Sequence, residues 1–342
     1  MRIELESEGK CRMWRNLKPL ACSAFAAVLM LQPAFASDRT ISANVIDYFQ
    51  PGSKATKFGK AEFIGGIELV SSDGSLGGWS ALRLRPDQKH FVGVLDTGDW
   101  ITGAIVRDTA GKLSTLSDVR ISPILDKRGR VGNERWRVDS ESVALRRGQV
   151  LVGFERAYRI DAYPDPGFET ARPVGSLDML INKKQLEANK STETVVVAPA
   201  SGPLKGSPVT IMEDSLNKDG NFLAAVLEGP RKGIFYVKKK SAYAVTDGAF
   251  LPNGDLLILE RRFGLTMGIG MRMRRIKADT IKPGATVDGD VVLEADSGYQ
   301  IDNMEGLEAF AAPDGSTHVL VVSDDNFSLL QRTLMLEFRL LQ

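Results

Sequence analysis

The amino-acid sequence predicts an all-β protein, a β-propeller of six antiparallel blades closed by pairing of its N- and C-terminal strands. Three observations carry that expectation. After residue 37 no stretch reads as a long amphipathic helix, the best short candidate being residues 176–188 (SLDMLINKKQLEA). Short β-branched and apolar runs are instead broken by Gly, Pro, Asn and Asp, the punctuation of strands and turns. Runs such as Phe91–Leu95, Val150–Phe154 and Val319–Val322 are apolar at both alternating positions, so both faces are expected to be covered, as in stacked sheets.

The third observation is a repeat. A polar loop leads into a short apolar strand, a turn, and a second strand that ends in an acid. The copies are GGWSAL to Asp96, DSESVAL to Glu155, KGSPVTI to Glu228, TDGAFLPNGDLLILER to Glu260, and DNMEGLEAF to Asp324 and Asp325. They begin near residues 78, 139, 205, 246 and 302, spaced by about the length of a four-stranded propeller blade. A sixth blade is expected where the strand 334–340 (LMLEFRL) meets the strand 63–69 (FIGGIEL). Closing the ring in this way removes exposed sheet edges.

Residues 1–36 are a different kind of sequence. Arg12, Arg15 and Lys18 precede an apolar run from Leu20 to Leu31, and Ala34-Phe35-Ala36 follows. These are the parts of a secretory signal, with cleavage expected between Ala36 and Ser37 and a periplasmic or secreted location. Residues 37–59 read as a lead-in segment and 60–342 as the propeller domain. Both cysteines, Cys11 and Cys22, lie in the signal. The remaining chain therefore has no disulfide, thiolate metal site or cysteine nucleophile. Without residues 1–36 it carries 39 Lys and Arg against 40 Asp and Glu. That balance offers no excess charge for nucleic-acid phosphates, and no membrane association is expected after cleavage. The only histidines are His90 and His318, and no G-x-S-x-G, H-E-x-x-H or P-loop motif occurs. A Ser-His-Asp hydrolase is disfavoured.

A ring of blades sets equivalent residues at equivalent distances from its axis. Asp96, Glu155, Glu228, Glu260 and Asp324 share one place in the repeat, and Glu141, Asp247 and Glu305 another. Converging carboxylates repel and raise one another's pKa unless a cation sits among them, and an all-oxygen set suits Ca²⁺ or another divalent metal. The candidate ligands are Glu141, Glu155, Asp247, Glu260, Glu305 and Asp324, one of which would serve as base. The other reading of each is a turn residue. Arg156 and Arg261 each follow one of these acids and would hold a substrate phosphate or carboxylate through a bidentate fork; a local ion pair is the alternative. Arg272 and Arg274 fall on one face, expected to be the exposed face of an outer strand.

With GGWSAL, DSESVAL, AAVLEGP, DGAFLPNGDLLILERR, DNMEGLEAF and VVSDDNF assembled, the chain resembles the phytase-like family of exported bacterial proteins, described by an esterase-like activity of phytase. The resemblance spans about residues 60–340. It implies a β-propeller, export, and metal-dependent hydrolysis of phosphoesters or esters. The D-D-P-A-type motif of the alkaline β-propeller phytases is not in the sequence. The expected function is divalent-metal-dependent hydrolysis of small anionic esters. The alternatives are a non-catalytic propeller that binds a ligand or protein, or a lactonase-like propeller holding one divalent ion through Glu, Asn and Asp.

Overall fold

The computed structural model describes residues 37–38, 41–71, 76–132, 134–187, 191–264 and 268–341. The expected signal, 1–36, lies outside them. The described strands form five sheets of four to six strands. Their inner strands are Trp79–Leu84, Ser140–Arg146, Thr192–Val197, Ala244–Phe250 and Asn303–Ala311. Each inner strand packs beside the next, and the fifth packs beside the first. The propeller therefore has five blades, not six.

The missing blade has a physical explanation. The chain ends do pair, with Thr333 opposite Leu69 and Leu340 opposite Ala61. They do so inside the blade that DNMEGLEAF and HVLVVSDD begin. Thr333–Leu340 is its third strand, Ala61–Ser71 its fourth and Ile41–Ile46 its outermost. The third repeat also shifts by one strand. KGSPVTI and NFLAAVLEG contribute the second and third strands of blade 3 (Pro208–Leu216, Phe222–Val226), while its inner strand is Thr192–Val197. Residues 176–187 hold a single 3₁₀ turn, Lys183–Gln185, rather than a helix. Among the described residues no helix is long and apolar enough to cross a membrane.

Strands that are apolar on both faces feed two cores at once. In Gln149–Phe154, Val150, Val152 and Phe154 pack towards blade 1, while Leu151 packs towards blade 3. Val319 and Val321 likewise join the core shared with blade 4, and Leu320 and Val322 that shared with blade 1. Five such cores fill the five interfaces between blades. Each fully buried Val, Leu or Phe contributes about 1.5–3 kcal/mol. An aromatic group of Phe49, Phe58, Phe63 and Phe338 seals the closing blade.

A buried arginine spans the centre of the ring. Arg83, 7% exposed, leaves the inner strand of blade 1 and reaches blade 4, where Nη1 and Nη2 lie 2.9 and 2.8 Å from the two oxygens of Asp247. The same guanidinium donates to the carbonyls of Leu82, Val195, Gly248 and Leu307. Burial disfavours its charge, but Asp247 outweighs that and raises its pKa. Asp247 also accepts from the Leu307 N–H. Every demand of this buried pair is met, as a desolvated ion pair requires.

Candidate functional site

Each inner strand carries one extra residue at the same place. In blade 1 the pairing passes from Trp79–Leu95 to Ala81–Val94 and skips Ser80. Blade 2 skips Glu141, blade 3 Glu193, blade 4 Thr246 and blade 5 Glu305. A bulge of this kind re-aims the side chain it carries. Repeated around a ring, it gathers three glutamates, a serine and a threonine at one end of the inner strands. At the level just beyond the bulge the second strands, or the residue that follows them, present Asp96, Glu155, Glu213, Arg261 and Asp324, so the only cation among these five comes from blade 4.

The carboxylates crowd between blades 2 and 3. Asp139, Glu141 and Glu155 each offer an oxygen within 4.8 Å of the others, as do Glu155, Glu193 and Glu213, so Glu155 belongs to both sets. Burial pushes the Glu141 carboxyl well above the usual range, with Asp139 and Glu305 adding to it and a Ser80 hydrogen bond opposing. Burial raises Glu193 as strongly, helped by Glu141 and Glu213. Glu193 is 7% exposed, and its carboxylate has no hydrogen-bond or salt-bridge partner among the described residues. Burial lifts Glu155 to about 7, although the Ser191 N–H pulls the other way.

Blade 5 is held differently. Arg261 Nη1 lies 2.6 Å from Glu305 Oε1 and its Nη2 3.3 Å from Glu213 Oε1, and it also donates to Asn303 Oδ1. Asn303 Nδ2 donates to the same Glu305 oxygen at 2.8 Å. Burial nonetheless carries Glu305 to about 8, Arg261 lowering it and Asp324 raising it. Asp324 rises to about 6 by burial, even though its Oδ1 accepts from the Asn326 N–H. The rim glycine Gly78 has φ 67°; a Cβ there would come within 2.1 Å of Asp96 Oδ1, so only glycine admits that carboxylate.

The structure thus brings Glu141, Glu155, Glu305, Asp324 and Arg261 together at the mouth. Arg156 stands on its rim, 2.8 Å from Asp139. It places Asp247 and Glu260 elsewhere. Asp247 follows the bulged Thr246 and is occupied by Arg83. Glu260 sits opposite Val245, one residue before Arg261, and is fully buried on the far side of its strand. There it meets Arg272 at 2.8 Å and Arg274 at 2.5 Å. The Arg272–Arg274 face, expected to be exposed, is therefore an interior face that neutralises Glu260. Glu228 pairs with Arg146 at 2.9 Å on the surface. Glu193 and Glu213 were not foreseen from the repeat. The pattern Thr192-Glu193-Thr194, a glutamate between small polar residues like Ser140-Glu141-Ser142, marks the first of them.

Among curated proteins none matches the chain. Solved structures similar to it include the PQQ-bound aldose sugar dehydrogenase of Streptomyces coelicolor, at 12% identity and a TM-score of 0.43, covering 88% of this chain and 99% of that one. A proposed oxidoreductase (glucose dehydrogenase) of Thermus thermophilus is similar at 12% identity and a TM-score of 0.37, covering 79% and 99%. A Bacteroides caccae protein is similar at 12% identity and 0.33, covering 68% of each chain. Likenesses of this degree carry no argument about cofactor or substrate. The model of the phytase-like family, described as esterase-like activity of phytase, matches residues 74–327, from the rim glycines to the loop after Asp325. The chain belongs to the phytase-like family.

Proposed function

We propose that the chain is a divalent-metal-dependent hydrolase of small anionic esters, phosphoesters foremost, acting in the periplasm or outside the cell after residues 1–36 are removed. The observation that carries this reading is Glu193, a buried carboxylate without a partner, set among four other acids. Uncompensated charge in such a place is costly unless a cation neutralises it. The donors are all oxygens, numerous and in two sets that share Glu155, which fits Ca²⁺ or a similar hard ion. Asp139, Glu141, Glu155, Glu193 and Glu213 would hold it. When bound, it would polarise the ester and acidify a water.

The chain's own residues supply the remainder. Arg261 would orient the anionic group from one side and Arg156 from the rim. Oε1 of Glu305 accepts from Arg261 and Asn303, which leaves Oε2 to exchange a proton. In hydrolysis the water oxygen bonds to the phosphorus or acyl carbon, its proton passes to Glu305, and the ester bond breaks. Glu305 then returns the proton to the departing oxygen. A lactonase-like site would use Glu305, Asn303 and Asp324, but a guanidinium already bonds to the first two.

The test is thermal unfolding of the EDTA-stripped chain with and without millimolar Ca²⁺, Mg²⁺ or Mn²⁺, followed by turnover of 4-nitrophenyl phosphate. A rise in midpoint that Glu193→Gln and Glu155→Gln remove, together with turnover, supports the reading. No rise with any ion would leave a non-catalytic binding propeller in its place.

A further inference from the structure

Beside the acidic mouth, between blades 4 and 5, lies a cavity of about 840 Å³ whose walls are unlike the mouth itself. Glu213, Arg261 and Asn303 form its inner end, and Phe263, Ile269 and Leu330 are part of its outer wall. Phe263 is 80% exposed and Leu330 93%. Leu329 is fully exposed and Phe327 about half exposed on the same loop. Large apolar side chains exposed singly are ordinary, but a group of them rimming a polar pocket marks a binding site.

The loop is held in this state. Asn326 and Phe327 have φ of 48° and 52°, a conformation costly for residues with a Cβ. Asp324 Oδ1 accepts from the Asn326 N–H at 2.7 Å, and Asp325 Oδ1 from the Phe327 N–H at 2.9 Å. Asp325 Oδ2 also accepts from Thr333 at 3.0 Å. Two acids of the second-strand terminus thus fix the loop so that the Phe327 ring lies over Gly77 and Gly78 while Leu329 and Leu330 stay outward.

Charge at the cavity points the same way. The cations among its described lining residues are Arg261 and Arg262. The first is engaged by Glu305 and Glu213, and the second lies over the Tyr243 ring. Glu213 and Asp302 face the same space. A polyphosphorylated polyol would bring many negative charges to walls that repel them, whereas a single anionic group could sit by Arg261 with a greasy group along Phe263, Ile269 and Leu330.

Resting on the hydrolase reading above, we infer that the substrate is a monoester with an apolar organic group, an aryl ring or short alkyl chain, seated in this cavity. It is tested by calorimetric binding of methylphosphonate, phenylphosphonate and octylphosphonate to the Ca²⁺-saturated chain, with turnover of the matching phosphate monoesters. Affinity is expected to rise at least about tenfold from methyl to phenyl and further to octyl, as buried apolar area requires. Phe263→Ser with Leu330→Ser should bring the longer ligands down to the methyl level. A flat series in the wild type overturns the inference, even where every ester is hydrolysed. A rising series without turnover of any ester upholds the pocket and rejects the hydrolase. Self-association that Leu329→Ser with Leu330→Ser abolishes, with a flat series, assigns the apolar rim to a second copy of the chain and overturns it as well.

Discussion

Two groups of buried acids in this propeller differ in one respect. Asp247 and Glu260 are each met by arginines, Arg83 for the first and Arg272 and Arg274 for the second. At the mouth, Glu141, Glu155 and Glu193 meet mainly one another. The first group is finished as it stands; its charges serve packing between blades. The second is a set of buried charges that the chain does not neutralise. Burial alone therefore does not mark a site. The missing counter-charge does.

The largest effect should come from unpairing the finished group. Arg83→Met would strand Asp247 on the axis and is expected to cost about 3–5 kcal/mol, on the order of 10 °C in the unfolding midpoint. A loss below about 1 kcal/mol, measured by urea denaturation, would break the comparison. Next comes saturation of the mouth. At about 100 times its dissociation constant a divalent ion should add about 2.7 kcal/mol to the wild type. Glu193→Gln should lose that gain yet raise the midpoint of the cation-free chain, because it removes a repelled charge.

The pH response sharpens the contrast further. Glu155 titrates at about 7 and Glu305 at about 8 in the folded chain, both lifted first by burial. Unfolded glutamates titrate near 4.3. Between those limits the folded chain holds more protons, so the stability of the cation-free chain should fall as pH rises from about 5 to about 8. Calorimetric scans at pH 5 and pH 8 should show this decline, and saturating Ca²⁺ should reverse it by displacing protons. The smallest effect belongs to Glu228→Ala, which removes a surface pair. It should change stability by no more than about 0.5 kcal/mol and leave the cation response intact. A lost response would return Glu228 to the site.

Much of the architecture was legible in the sequence, because propeller strands are apolar on both faces and their turns are punctuated by Gly and Asp. Ring closure by residues 63–69 and 334–340 was legible for the same reason. Blade number was not. The two end strands complete a blade begun by DNMEGLEAF, and nothing local distinguishes a third strand from a first. The site failed by small displacements. Each bulge inserts one residue, and one residue exchanges the two faces of a strand. Asp247 and Glu260 were thus assigned to places that Thr246 and Arg261 occupy. In blade 3 the inner strand was taken one strand too late, which hid Glu193 and Glu213 behind Glu228.

The seam where blade 5 closes sets an order on folding. Ala61–Ser71 lies between Thr333–Leu340 and Ile41–Ile46, so the last ladder joins segments separated by most of the chain. Such distant contacts form slowly, since loop entropy is lost before they return anything. Until they form, the blades make an open horseshoe, with Ser80 on one side of the gap and Glu305 and Asp324 on the other. The proposed cation ligands, all from blades 2 and 3, stand together in that horseshoe, but Asp324 is not yet held against Asp96 and Gly78 across the gap. Cation binding is therefore open to a nascent chain still waiting for its last strand, whereas the closed mouth that activity needs belongs to the finished ring.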